Sequence, residues 1–377
     1  MPCILDKTSG GKPRMKARVK RPRIHAGKLC GALVLAGFAA AAQAAQWFPL
    51  PVQTTAANGA QKMIDYVGQP QATQPWRICV SFPNMTDPFF VAADYGVIEE
   101  AKRLGVKVQV LDAGGYTNLP QQISQVQNCV VGGAQAVALV AISRNGLGGL
   151  LNSLKQKKVT VVDSFNGVDS DDVAARVLTS SYNEGLHTGQ YLAKLHPAGT
   201  PPVRVGWLPG PAGVGFEIEF NNGFLAGIKG SAVQIAATLN GDMAKEVQAR
   251  LVENLLQSHK DIDYIAGTAV SIEAAVPLLR AHHVENKVSL VSVYTTPMIL
   301  RYLKNGEIKA AHVSPLVTTA RMMIDTAVRL LQNKQPEPLI KYETIGRMYT
   351  AQDIGALDVN TVMAPDGFKP VFRYGPN

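Results

Sequence analysis

The stretch Trp76-Arg77-Ile78-Cys79-Val80-Ser81-Phe82-Pro83-Asn84-Met85-Thr86-Asp87-Pro88-Phe89-Phe90 decides the fold. Residues 78–82 form a short, largely apolar run that reads as a buried strand, and the segment from Pro83 onward opens a helix. Outward from there the same alternation repeats. Strands are expected at 78–82, 106–111, 136–142, 160–162, 203–208, 233–239, 264–267, 290–293 and 308–313. Between them lie helical patterns, such as Val247, Leu251 and Leu255, or Met323, Ala327 and Leu330. Apolar strands separated by helices indicate a parallel sheet covered on both faces. Some nine strands suit two sheets better than one. The expected fold class is therefore α/β, with two doubly wound parallel-sheet lobes. Residues 45–75 are rich in Gln, Ala, Pro and Thr without a sustained period, and read as an extended arm anchored by Trp47 and Phe48.

The 377 residues leave room for about two domains at ~150 residues each. At 46% hydrophobic and 17% charged, the chain can bury a sizeable core. Its net charge of +9 suggests nucleic acid until it is located. Residues 1–44 carry nine Lys or Arg against one Asp, whereas from Ala45 onward 28 basic residues face 27 acidic ones. A nearly neutral folded part removes the main warrant for a nucleic-acid partner.

The basic stretch from Lys7 to Lys28 runs into an uncharged apolar segment and then Ala42-Gln43-Ala44. That order marks residues 1–44 as a signal peptide, with Met15 an alternative start. The apolar segment is shorter than the ~20 residues a membrane span needs. A lipoprotein fits less well, because Cys30 precedes the apolar core instead of ending it. The mature protein is expected to be exported to the periplasm. Only Cys79 and Cys129 remain after the leader, and two thiols in an oxidising compartment point to a disulfide. The alternative is a pair of buried free thiols.

Several motifs carry less than they first suggest. Pro209-Gly210-Pro211-Ala212-Gly213-Val214-Gly215 follows a strand, but its spacing is neither GxGxxG nor a P-loop. A tight turn with close backbone approach is expected there. Glu217 and Glu219, two residues apart on a helix, face different ways. His282-His283 reads as solvated surface, and Asp169, Asp171 and Asp172 lack the Gly and terminal Glu of a calcium loop. No nucleophile–base set, metal cluster or cofactor motif can be assembled, so an enzyme is not expected. One constellation remains. Phe89 and Phe90 follow the first strand, Tyr116 closes Asp112-Ala113-Gly114-Gly115-Tyr116 after the second, and Tyr294 ends a strand of the second half. Aromatics at the carboxyl ends of parallel strands sit where open α/β sheets bind ligands. The plainer alternative is that Phe89 and Phe90 belong to the core.

At these positions the chain resembles the type I periplasmic binding proteins, the family of ribose-binding protein. The likeness is carried by Asp87-Pro88-Phe89-Phe90, Thr295-Thr296-Pro297 and Asn305-Gly306-Glu307-Ile308-Lys309-Ala310-Ala311. Within that family it is similar to the TorT-like sensors of trimethylamine N-oxide, over nearly everything from Trp76 to Tyr374. The specific segments are Asp112 to Tyr116, Asp261-Ile262-Asp263-Tyr264-Ile265-Ala266-Gly267-Thr268-Ala269 and Ala364-Pro365-Asp366-Gly367-Phe368-Lys369-Pro370-Val371. Cys79 and Cys129 fall where TorT-like proteins carry cysteines, and Trp47 and Trp76 where they carry tryptophans. The resemblance implies lobes joined by a three-strand hinge crossing near Ser180, Ser314 and about Ile345. The N-terminal lobe would then hold 45–180 and 315–345, and the C-terminal lobe 181–314 and 346–377. It also implies a small ligand in the cleft and contact with the periplasmic domain of a TorS-like sensor histidine kinase. The alternative output is delivery of a small solute, a sugar included, to an ABC transporter.

Departures from the family narrow the ligand. The arginines with which sugar binders clamp hydroxyls correspond to Ser164 and Ile218, their hinge aspartate to Tyr294, and a sugar-reading asparagine to Ala269. A buried sugar would leave hydroxyls unpaired at ~1–3 kcal/mol each. Asp87, Tyr116 and Tyr294 match the aromatic box around a trimethylated nitrogen. Phe89 and Phe90 replace a Tyr-Trp pair, and Ser181 stands where a further tryptophan is expected, leaving room for a bulkier amine or N-oxide. The expected ligand-facing set is Asp87, Phe89, Phe90, Tyr116, Ser164, Ser181, Tyr294 and Ser314.

Overall fold

The computed structural model describes residues 47–334 and 340–375. The expected leader and its cleavage point at Ala45 lie outside the described residues. In chain order the strands are β1 (Leu50–Thr55), β2 (Gln61–Tyr66), β3 (Arg77–Phe82), β4 (Lys107–Asp112), β5 (Ala136–Leu139), β6 (Thr160–Ser164), β7 (Ala175–Thr179), β8 (Val203–Gly210), β9 (Val233–Asn240), β10 (Tyr264–Gly267), β11 (Ser289–Ser292), β12 (Ala310–Val313), β13 (Lys341–Thr344), β14 (Arg347–Tyr349) and β15 (Arg373–Tyr374). The helices are α1 (Pro88–Leu104), α2 (Leu119–Val131), α3 (Gly148–Gln156), α4 (Ser181–Leu195), α5 (Gly215–Ile228), α6 (Lys245–Ser258), α7 (Ala269–Ala281), α8 (Pro297–Lys304) and α9 (Leu316–Leu331).

Two sheets result. The first has the order β15-β4-β3-β5-β6-β7-β13-β1-β2 and the second β14-β12-β11-β10-β8-β9. Both sheets are parallel, from β4 to β13 and from β12 to β9, with antiparallel strands at both edges of the first and at the β14 edge of the second. One core fills the second lobe, and two clusters cover the opposite faces of the first sheet. The architecture is the doubly wound α/β pair expected. Chain crossings fall between β7 and α4 at Ser180, between β12 and α9 at Ser314, and between β13 and β14 at Ile345. Helix α9 packs on β5, β6, β7 and α1 of the first sheet, so the second crossing is a true return.

Within the expected extended arm, β1 and β2 form an antiparallel hairpin that extends the first sheet beyond β13. Trp47 stacks on Tyr66 with ring centroids 5.9 Å apart and donates to Glu100 Oε2 at 2.7 Å. Tyr66 in turn donates to Asp325 Oδ1 of α9 at 2.6 Å, so the hairpin is tied to two helices. The C-terminal residues, expected wholly in the second lobe, return to the first sheet, where β15 pairs with β4. A two-residue strand carries no readable period, which is why it escapes notice in the sequence. Cys79 of β3 and Cys129 of α2 are joined as a disulfide, with Cα atoms 6.4 Å apart. Among the described residues no helix is long and apolar enough to cross a membrane.

Candidate ligand-binding site

Local chemistry at the end of β3 places the first site residues. Asn84 Oδ1 accepts from the Thr86 and Asp87 backbone N–H groups at 3.1 and 2.9 Å, which fixes the loop. Asp87 then caps α1, its Oδ1 accepting from Phe89 N at 2.9 Å, and Pro88 occupies the first turn where its missing N–H costs nothing. Phe89 and Phe90 are thereby held at the helix start. After β4, Gly114 and Gly115 take φ of 80° and 139°, a turn closed by the hydrogen bond from Gly115 N to Pro83 O at 2.8 Å. This brings Tyr116 to the same edge. Phe165, past β6, adopts a φ of 57°, a conformation a bulky residue rarely takes, and presents its ring beside Phe89.

The second lobe supplies the opposing wall. Tyr294, just past β11, donates its hydroxyl to Asp87 Oδ2 at 3.3 Å across the cleft. Phe89 meets Tyr294 edge-to-face with centroids 5.5 Å apart, and Tyr116 meets Phe216 of α5 at 5.7 Å. Phe220 and Met243 complete that side. The rings line a cavity of about 40 Å³ between the lobes, so anything larger than a water or two requires the facing rings to part. Closure is helped at the rim by Arg144, past β5, which lies 3.2 Å from Glu219 of α5. Gly215 allows it, since a Cβ there would lie 2.0 Å from Asn166 O of the other lobe. The glycine-containing loop thus serves close backbone approach, as its spacing suggested. Glu217 turns the other way and accepts from Gly213 N and Asn240 Nδ2 at 3.2 and 3.1 Å.

Of the eight expected residues, Asp87, Phe89, Phe90, Tyr116, Ser181 and Tyr294 line this one cavity. Ser164 does not, because it is buried in β6 with its Oγ donating to Val162 O at 3.3 Å. Ser314 stands one step behind the wall and donates to Glu184 Oε1 at 2.6 Å. Phe165, Asn166, Thr179, Glu184, Phe216, Phe220 and Met243 also line the cavity and were not foreseen. Most lie on helix faces or just past strand ends, in apolar patterns indistinguishable from core. Burial raises Asp87 to about 6, against the bond from Phe89 N, and raises Glu184 to about 7, against the hydroxyls of Ser314 and Thr179. Burial likewise lifts the Tyr116 and Tyr294 phenols above their ordinary value.

Asp169, Asp171 and Asp172 are not gathered around a common point. They pair with Arg144, Arg176 and Lys155 at 3.2, 3.7 and 2.6 Å. Among the described residues no group of acidic, His or Cys side chains could hold a metal.

Comparison with known proteins agrees with this geometry. The periplasmic binding protein domain family matches residues 78–335. The periplasmic protein TorT of Escherichia coli K12 is 30% identical over 307 residues, 81% of this chain and 86% of that one. An ABC transporter solute-binding protein from Bradyrhizobium sp. BTAi1, solved with bound bis-tris, is 44% identical with a TM-score of 0.75, covering 87% of this chain and 99% of that one. TorT in complex with the TorS sensor domain, solved without ligand, is 28% identical with a TM-score of 0.71, covering 78% of this chain and 100% of that one. The same complex solved in the presence of TMAO has a TM-score of 0.70. Families of this kind bind or sense solutes and are not catalysts. The chain belongs to the periplasmic binding proteins, in the type I, ribose-binding-protein-like fold.

Proposed function

We propose that the mature protein is a periplasmic sensor that closes on a small methylated amine or N-oxide, trimethylamine N-oxide or a relative, and signals to a membrane sensor histidine kinase. One observation carries the ligand class. The cavity wall holds seven aromatic rings and two buried carboxylates but, among the described residues, no Lys, Arg or His. Ring faces attract a desolvated quaternary nitrogen by ~2 kcal/mol or more, and a carboxylate adds direct charge complementarity. Asp87 would face the positive nitrogen. A sugar finds no planar clamp here.

The kinase output rests on the likeness to TorT, whose complex with the TorS sensor domain is known. A second reading has its own support, because the 44% identical neighbour is a solute-binding protein of an ABC transporter. Its bis-tris is itself a protonatable tertiary amine bearing hydroxyl arms, which favours the same ligand class under either output. Calorimetry on the purified protein with trimethylamine N-oxide, tetramethylammonium, bis-tris and ribose tests the ligand. Binding of an amine or N-oxide is expected, weakened in Tyr294→Ala by about three- to thirtyfold, the weight of one cation–π contact. Tight ribose binding with none of the amines would sink the proposal. Co-purification with a sensor-kinase periplasmic domain, against stimulation of a permease ATPase, separates the two outputs.

A further inference from the structure

The two carboxylates of the cavity stand in different surroundings. Asp87 sits among rings at the strand ends and already meets Tyr294 and the Phe89 N–H. Glu184 sits at the pivot, in the first turn of α4, beside Ser181 at the first crossing and Ser314 at the second. Its side chain accepts from Ser314 Oγ at 2.6 Å and from the Thr179 hydroxyl. An ionised carboxylate has about four acceptor positions, so two donors leave capacity toward the cavity. Among the described residues no cation is paired with it. The nearest ring nitrogens belong to His312, whose Nδ1 is 3.5 Å from Ser314 Oγ, and to His187, which lies 3.2 Å from His312. Burial holds His312 down to about 3 and lowers His187, so this pair stays neutral near pH 8.

We infer that Glu184 is a second ligand-reading group, accepting a hydrogen bond from a hydroxyl or N–H arm of the bound cation, so that the site selects amines bearing a donor arm. This rests on the amine-binding function proposed above and refines it. With the cationic head among the rings and Asp87, the arm points into the space left open by the small Ser181 side chain. Trimethylamine N-oxide has no donor arm, so it gains nothing from Glu184 and is held by the rings and Asp87 alone. A permethylated amine leaves the acceptor unpaired in a dry site, and an unmet buried polar group is costly. Glu184 is a specificity residue here, not merely a tie between α4 and the hinge.

The test uses two cations of equal charge and nearly equal shape, choline and propyltrimethylammonium, which differ by a hydroxyl in place of a methyl. Calorimetry with the mature protein at pH 8 should find choline tighter by about tenfold or more, the weight of a hydrogen bond to a charged group. Glu184→Gln should narrow that gap to within about threefold, weakening choline more than propyltrimethylammonium. Equal binding of both cations by the wild type overturns the inference and leaves amine binding standing. Equal losses of both in Glu184→Gln overturn it as well, since Glu184 would then be a general counter-ion. If neither cation binds, the inference fails, while the amine function is decided by trimethylamine N-oxide, tetramethylammonium and bis-tris. The wild-type comparison does not depend on the variant's folding.

Discussion

Glu184 is costly to keep where it is. Its folded-state value near 7 lies above the ordinary 4.5, because burial disfavours the charged form. Folding therefore favours the protonated acid, and the stability this contributes is whole below about 4.5 and lost as pH rises through 7. Glu184→Gln carries no such charge. Denaturant unfolding should find the variant more stable than wild type at pH 8, by on the order of 3 kcal/mol, and equal to it at pH 4. A difference that does not change with pH would mean the buried charge costs nothing. Residues of this kind are hard to find in a sequence. An acid in the first turn of a helix ordinarily complements the helix dipole at the surface, and nothing in Ser180 to Glu184 says that the helix start is buried. Asp87, Phe89, Tyr116 and Tyr294 were legible because strand ends in this architecture are binding edges whatever the side chains. Ser164, named only for its correspondence to a sugar-clamping arginine, points away from the cleft, since one step of alternation along β6 separates it from Phe165.

Gly215 is where α5 meets the backbone of the opposite lobe. Alanine at that helix position costs nothing to α5 itself, yet its Cβ would fall 2.0 Å from Asn166 O, a backbone atom that cannot rotate aside. Gly215→Ala should fold normally, show a larger radius of gyration in solution scattering with ligand present, and bind any ligand at least about tenfold more weakly. Unchanged closure would show that α5 shifts to accommodate the methyl. The Cys79–Cys129 bridge makes the opposite case. It joins β3 to α2 across a 50-residue separation, inside a core cluster none of whose members lines the cavity. Replacing both cysteines by serine should lower stability by about 2–4 kcal/mol and leave ligand affinity unchanged. All nine strands expected from apolar runs fall on observed strands. The six others are the edge strands β2, β14 and β15 and the interior strands β1, β7 and β13. β1 buries only Val52 and Thr54 and carries Pro51, and β14 has three residues, so neither offers the continuous apolar run that marks a central strand.

Two lobes that meet over their ligand are a population problem before they are a recognition problem. A ligand moves the balance between open and closed forms only by binding the closed one better. Here the difference resides in contacts made across the cleft: Tyr294 on Asp87, Tyr116 on Phe216, and Arg144 beside Glu219. These same contacts join the two lobes over the cavity, so they are expected to part both when an occupant arrives and when it leaves. Amines of similar size should then enter at similar rates, and those held better should differ chiefly in how long they stay. A well-fitted amine would outlast a brief dip in its own supply. The closed lobes thus give the protein a short memory of what it last met, and its length is set by the contacts that must part before the occupant can leave.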